Sequence, residues 1–151
     1  MNTITLRKID ESNFLDAFAL KLAPGQEAFV SHPIRSLAQA YVYYHQCTPF
    51  GIYHGDTMVG YVMVIYDNDL EEYDIWHMMI GEQYQGKGYG RQAMRKCLDY
   101  ISAAPFGASR KVALTCNERN LAAIWLYQSL GFVETGNRED DEIEFARILA
   151  E

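Results

Sequence analysis

The sequence is short of the features that mark several large classes of protein. Cysteine occurs three times, at Cys47, Cys97 and Cys116. The number is odd and no two form a C-x-x-C pair, which argues against a disulfide framework or a zinc site. Three reduced thiols are the expectation. The longest apolar run, Met58–Tyr66, has nine residues, against the roughly 20 that a membrane-spanning helix needs. The stretch from Met1 to Lys8 has no apolar h-region, so no signal peptide is expected. Positive charge is also scarce, with 13 Lys and Arg against 20 Asp and Glu and a net charge of −7. Nucleic-acid-binding domains carry a basic face, so that class starts at a disadvantage, and cationic or neutral partners are favoured. Repeats, low-complexity segments and Pro/Gly/Ser-rich linkers are missing. The expectation is a single cytoplasmic domain over residues 1–151, with no nucleic-acid and no membrane partner.

What is present is a globular composition, 49% hydrophobic and 22% charged. A chain of this length buries roughly 68–70% of its unfolded surface. Thr3–Ile9 alternates and predicts a strand. Ser12 is placed to cap a helix with Phe14, Leu15, Phe18 and Leu22 on one stripe. Ile34, Leu37, Ala38, Tyr41, Val42 and His45 recur at helical spacing and predict a second helix over Ile34–Gln46. Phe50–Tyr53 and Thr57–Tyr66 flank His54-Gly55-Asp56 and predict a β-hairpin. The second of these runs is nearly all apolar and reads as a central strand buried on both faces. Tyr73–Ile80 is a further strand, followed by a glycine-rich turn and a helix from Gly88 to Ala103. Lys111–Cys116 predicts a strand, Asn120–Leu130 a helix, and Phe132–Thr135 and Glu142–Leu149 two closing strands. The order β-α-α-β-β-β-α-β-α-β-β predicts an α/β or α+β domain with a mixed sheet.

The most informative segment is Gly81-Glu-Gln-Tyr-Gln-Gly-Lys-Gly-Tyr-Gly-Arg91, which joins an apolar strand to a helix. A helix N-terminus offers unpaired N–H groups and a positive dipole end. Glycines expose that backbone with no Cβ in a ligand's way, which suits a pyrophosphate. Lys87, Arg91 and Arg95 add positive charge. The segment nearly meets G-x-x-x-x-G-K-[ST], but position 88 is Gly, so the hydroxyl that would hold Mg²⁺ is missing. It half meets G-x-G-x-x-G, but Arg91 stands at the last position.

Gln85-x-x-Gly88-x-Gly90 resembles the Q/R-x-x-G-x-G/A signature of the Gcn5-related N-acetyltransferases, the GNAT family. A second motif, Asn120-Leu-Ala-Ala-Ile-Trp-Leu-Tyr-Gln-Ser-Leu-Gly-Phe132, resembles that family's N-x-x-A-x-x-L-Y-x-x-x-G-F. Its physical reading agrees, since Asn120 is a good helix N-cap and Gly131 a good C-terminal stop. The resemblance implies a mixed, mostly antiparallel sheet of six to seven strands flanked by about four helices. It also implies a bulged, splayed strand pair that holds acetyl-CoA as co-substrate, with no metal. In that family a domain is often found as a dimer.

The same resemblance assigns roles. Met78, Met79 and Ile80 would bind the pantetheine, and the N–H of Met79 or Ile80 would polarise the thioester carbonyl. Oxyanion-hole donors of this kind are worth about 2.7–4 kcal/mol. Gln85, Gly86, Lys87, Gly88, Tyr89, Gly90 and Arg91 would hold the pyrophosphate, and Asn120 would contact the cofactor. Tyr127 would be the general acid for the CoA thiolate. No Glu stands at Thr115, where some relatives place a general base, so the base is assigned to Asp74, with Glu72, His77 or a water as alternatives. His77 also reads as a hydrogen-bonded structural residue. A Cys116 nucleophile is rejected because no His/Asp constellation accompanies it.

Five of the eight residues Asp67–Asp74 are acidic, and Glu139–Glu142 with Glu144 form a second cluster. The first lacks the Gly and Glu of a calcium loop and reads as a solvated hairpin loop or an acidic mouth to the acceptor site. Glu72, Asp74 and Trp76 are the candidate substrate residues, with Tyr41, Tyr43, Tyr44 and Tyr73 as further aromatic faces for a cation. Phe50–Tyr61 and Tyr84–Gly90 are similar to bacterial spermine/spermidine N-acetyltransferases. The expected reaction is acetyl transfer to a primary amine, a polyamine first. A protein N-terminal or other small-amine acetyltransferase and a non-catalytic acetyl-CoA-binding module are the alternatives.

Overall fold

The computed structural model describes residues 3–150. The apolar run beginning at Thr57 is too uniformly hydrophobic to leave either face in water, and it forms strand β3 (Thr57–Asp67) near the middle of the sheet, with nine of its eleven residues buried. Its neighbours are β2 (Cys47–His54) and β4 (Glu72–Ile80), both antiparallel to it. β1 (Ile4–Lys8) closes one edge, and β5 (Lys111–Asn117), β7 (Glu142–Ile148) and β6 (Val133–Glu139) complete the order β1-β2-β3-β4-β5-β7-β6. All pairs are antiparallel except β4 with β5. This is a mixed, mostly antiparallel sheet of seven strands, within the six to seven that the family resemblance implied.

Helices cover both faces. α3 (Tyr89–Ser102) and α4 (Leu121–Ser129) lie over a core that includes Val62, Tyr73, Met94, Cys97, Leu114 and Phe145. α1 (Phe14–Ala19) and α2 (Pro33–Val42) lie over a second core built from Ala17, Ala40, Tyr61, Met63 and Met79. Short 3₁₀ turns occupy Gln26–Ala28 and Glu82–Tyr84. Among the described residues no helix is long and apolar enough to cross a membrane.

The two N-terminal helices depart from the expected stripes. α1 is one and a half turns long, and its buried residue is Ala17, while Leu15 and Phe18 are exposed. Ser12 does not cap it, because its hydroxyl donates to Asp10. α2 begins at Pro33, where the ring occupies a position whose N–H needs no partner, behind the His32 N-cap that accepts from the Ile34 N–H. It ends at Val42, four residues short of Gln46. Its buried residues are Pro33, Ser36 and Ala40, whereas Ile34 and Tyr41 are exposed. Small side chains on that face let the helix lie close to the sheet, and this outweighs the larger apolar residues on the other side.

One irregularity controls the site. Between the pairs Met63↔Trp76 and Tyr61↔Met79, β4 has one residue more than β3. The bulge falls at His77, which takes φ +59, a region rare for a residue with a Cβ. An extra residue reverses the alternation of faces. Tyr73 and Ile75 point to the α3 side before the bulge, and Met78 and Ile80 pack there after it, leaving Met79 on the α2 side.

Candidate active site

β4 and β5 run side by side for two residue pairs only, Tyr73↔Val112 and Asp74↔Ala113. Beyond them the strands separate, and a wedge opens between the end of β4 and the end of β5. Two cavities of about 720 and 320 Å³ occupy this region and share Phe29, Val30, Met78, Asn120 and Tyr127 in their walls.

The smaller cavity is lined by the glycine turn and the start of α4. Gly86 and Gly88 take φ +79 and +81, and a Cβ on either would meet nothing within 4 Å. Glycine is therefore required by conformation and not by crowding, and the backbone there is open to a ligand. Gly88 is the N-cap of α3, and the first i→i−4 bond of that helix is Gln92 N–H to the Gly88 carbonyl. The preceding N–H groups at Tyr89, Gly90 and Arg91 therefore have no helical partner. Gln85 ties the turn down through its side-chain amide, which donates to the Ile80 carbonyl (2.9 Å) and to Gln26 Oε1 (3.1 Å). An open, positively polarised turn of this size fits a pyrophosphate.

The register decides between the two proposed oxyanion donors. Gly81 N–H donates to the Val59 carbonyl at 2.7 Å. In an antiparallel ladder, residues two apart face the same neighbour, so Met79 N–H also faces β3. The N–H of Ile80 faces away from β3, towards the wedge, as does its carbonyl that meets Gln85. Met79 is thus committed to the ladder and to the core, and the Ile80 N–H is the one left free on the wedge side of the strand.

Asn120 caps α4 by accepting from the Ala123 N–H at 3.3 Å. Two turns on, the Tyr127 ring rests 6.2 Å from both Phe132 and Phe145. Its hydroxyl has no hydrogen-bond partner among the described residues, and the residue lines both cavities. Burial, with Cys116 beside it, pushes the phenol well above its ordinary value, so it stays protonated at any physiological pH.

The larger cavity departs from the sequence expectation. Trp76 lines it, but Glu72 and Asp74 do not. Glu72 is buried at the far end of β4, where its carboxylate meets Lys111 Nζ at 2.8 Å, so its charge is neutralised by a neighbour and is not offered to a substrate. Asp74 shares the face of Trp76, as alternation required, but it lies where β4 and β5 are still paired, short of the wedge. Burial, reinforced by Glu72, Asp67 and Glu144, raises its carboxyl to about 7. The acidic loop folds on itself, with Asp67 accepting from the N–H groups of Asp69 and Leu70. Lys87 and Arg91 also stand outside both walls; Arg91 lies 5.2 Å over the Trp125 ring instead.

In place of the expected carboxylates, the cavity is walled by Glu27, Arg35, Gln39, His77, Cys116 and Glu142. Gln39 Oε1 is buried without a partner among the described residues. His77 Nδ1 lies 2.7 Å from Ser36 Oγ, which lies 2.8 Å from the Tyr61 hydroxyl. Burial and Arg35 lower the imidazole to about 4. Sequence periodicity had no means of finding Gln39 or Glu142, because each joins the site only when α2 and β7 are docked on the sheet. Among the described residues no three His, Cys, Asp or Glu side chains are grouped to hold a metal.

Comparison with known proteins agrees with this geometry. The family model described as "Acetyltransferase (GNAT) family" matches residues 14–132. The chain is 32% identical over 98 residues to the spermine/spermidine N(1)-acetyltransferase of Bacillus subtilis (strain 168), covering 61% of this chain and 63% of the relative's length. It is 33% identical over 90 residues to the N-alpha-acetyltransferase RimI of Mycobacterium tuberculosis, covering 58% of this chain and 53% of that protein. Its fold superposes on the spermidine N-acetyltransferase of Vibrio cholerae in complex with CoA and spermine, with a TM-score of 0.78 at 19% identity over 97% of this chain and 95% of that one. The ribosomal L7/L12 alpha-N-protein acetyltransferase RimL in complex with CoA gives a TM-score of 0.77, also at 19% identity, over 97% and 94% of the two chains.

Proposed function

This chain belongs to the acetyltransferase (GNAT) family, and on that premise we propose that it moves an acetyl group from acetyl-CoA to a primary amine, with a polyamine such as spermidine as the preferred acceptor. The observation that carries the reading is the meeting of two cavities at Tyr127, one lined by an anion-binding turn and the other open to an acceptor.

Acetyl-CoA supplies an activated thioester. The free N–H groups at the start of α3 hold the pyrophosphate by hydrogen bonds and dipole field. The N–H of Ile80 receives the negative charge that develops on the thioester oxygen. A fixed backbone donor of this kind needs no reorganisation and is worth about 2.7–4 kcal/mol. The Tyr127 hydroxyl meets the leaving sulfur. A tyrosine at about 10 is already a weaker acid than a thiol at about 8.5, and its burial widens the gap. Tyr127 therefore acts first as a hydrogen-bond donor to the developing thiolate, with proton transfer completed as the amide forms.

The polyamine acceptor is supported by the Bacillus and Vibrio relatives and by the net charge of −7. Within the cavity, the carboxylates of Glu27 and Glu142, the Trp76 ring and the unpartnered Gln39 carbonyl suit a ligand rich in N–H donors and positive charge. A second reading, the α-amine of a peptide, is favoured by the RimI relative. The test is thiol release from acetyl-CoA by the purified protein, with spermidine and with a peptide bearing a free N-terminus. Release that depends on spermidine supports the proposal. Release with the peptide alone moves the assignment to the second reading, and acetyl-CoA binding without release under any amine leaves a binding module.

A further inference from the structure

An alkyl ammonium must lose a proton before it attacks, and the structure removes the groups expected to take it. Asp74 and Glu72 stand outside the cavity. His77 is inside it, but its hydrogen bonds fix the wrong tautomer. Ser36 and Tyr61 are fully buried, and the Tyr61 hydroxyl has Ser36 as its partner. Only one arrangement leaves no hydroxyl proton unpaired: Tyr61 O–H donates to Ser36 Oγ, and Ser36 O–H donates to His77 Nδ1. The proton of the neutral ring then sits on Nε2, so the free nitrogen is a donor and cannot accept a proton. Protonating Nδ1 would reverse the chain and orphan the buried Tyr61 O–H.

The other titratable groups of the wall are accounted for in the same way. His32 uses Nε2 on the Leu20 carbonyl and Nδ1 on the Ile34 N–H. Burial and Glu142 push the Cys116 thiol to about 11. Glu27 is exposed on its 3₁₀ turn. Glu142 differs from all of these. It is half-buried, it lines the cavity, and its carboxylate has no hydrogen bond or ion pair among the described residues. It pairs with Asn117 at the end of β5, three residues before the Asn120 cap of the helix that carries Tyr127.

We propose that Glu142 is the general base that accepts the proton of the acceptor ammonium. The proposal rests on the acetyl-transfer reading above. One proton passes from the R–NH₃⁺ group to the Glu142 carboxylate and on to solvent. The amine lone pair then forms the C–N bond as the C–S bond breaks. The second proton lost by nitrogen balances the one that Tyr127 delivers to the thiolate. Burial and the neighbouring Asp141 raise the Glu142 carboxyl, which strengthens it as a base. Of the charges near it, Asp141 is paired with Arg119 at 3.8 Å and Glu118 with Arg138 at 2.6 Å, Glu139 is its cross-strand partner on β6, and Glu144, two residues on, accepts from Thr135 and Asn137. Across the cavity it faces Arg35, Glu27 and the neutral His77.

The test is kcat against pH from 7 to 9 for the wild-type protein, Glu142→Gln and His77→Gln, with whichever amine the wild type acetylates fastest. A general base contributes about 10²–10⁴-fold, so Glu142→Gln should lose that much at pH 7. Its kcat should then rise about tenfold per pH unit, as solvent takes over the proton transfer. The wild type and His77→Gln should stay nearly flat. A Glu142→Gln profile parallel to that of the wild type overturns the assignment while acetyl transfer stands. Absence of turnover in the wild type with every amine overturns both readings.

Discussion

Replacing Ser36 by Ala tests the buried relay with a magnitude that the structure supplies. The hydroxyl joins two groups and is itself inaccessible, as is the Tyr61 side chain. Removing one oxygen leaves too little room for a water to take its place. The Tyr61 O–H is therefore orphaned at a cost of about 1–3 kcal/mol. In a domain of this size each kcal/mol corresponds to about 2–4 °C, so Tm should fall by roughly 2–12 °C. The decisive comparison is the double variant Ser36→Ala/Tyr61→Phe. Deleting both partners of a buried hydrogen bond is often nearly neutral, so the double variant should be more stable than Ser36→Ala alone. Urea titration of the wild type, both single variants and the double variant closes the cycle, and NMR of the imidazole nitrogens should show Nε2–H in the wild type. Additive losses, or an Nδ1–H tautomer in the wild type, would refute the relay and with it the exclusion of His77 as base.

Other outcomes follow from the same geometry. Tyr127→Phe should lower kcat by about 10²–10⁴-fold while acetyl-CoA affinity, measured by calorimetry, changes little, because the ring and its packing remain. Gly88→Ala places a Cβ at φ +81 and should cost about 1–2 kcal/mol while weakening acetyl-CoA binding. Gly136→Ala, at φ +92 with open space around it, should show the same stability loss with binding intact. His77 and Asp74 should oppose one another in acid. His77 is held near 4, below its unfolded value, so the unfolded state protonates first and stability falls as the pH drops from about 6.5 to 4. Asp74 is raised to about 7, so the folded state protonates first and stability rises as the pH drops from about 7 to 4. Asp74→Asn should accordingly stabilise the protein above pH 7 but not at pH 4, and should steepen its acid-side loss; denaturation midpoints across this range check both signs.

The glycine turn proposed to hold the pyrophosphate was legible because it is local. Gly86, Gly88 and Gly90 lie within one turn, Asn120 and Tyr127 lie on one helix, and neither arrangement needs a distant partner to form. The order of strands and helices was readable for the same reason, since each element carries its own periodicity and its own stop. Alternation also placed Asp74 and Trp76 on one face of β4, as found. What alternation did not contain was the point at which β5 leaves β4. That point admits Trp76 to the cavity and excludes Asp74, although only one residue separates them.

By itself, then, the chain determined the order of its elements, its glycine turn and the Asn120 cap of α4, because backbone conformation and hydrophobic period act within a few residues. The tertiary structure alone decided which strand N–H is free, which side chains the His77 ring meets and which carboxylates line the larger cavity. Those depend on the bulge at His77, on Ser36 reaching it from α2, and on β7 bringing Glu142 beside β5. Each joins residues tens of positions apart, through contacts that exist only once both faces of the sheet are covered.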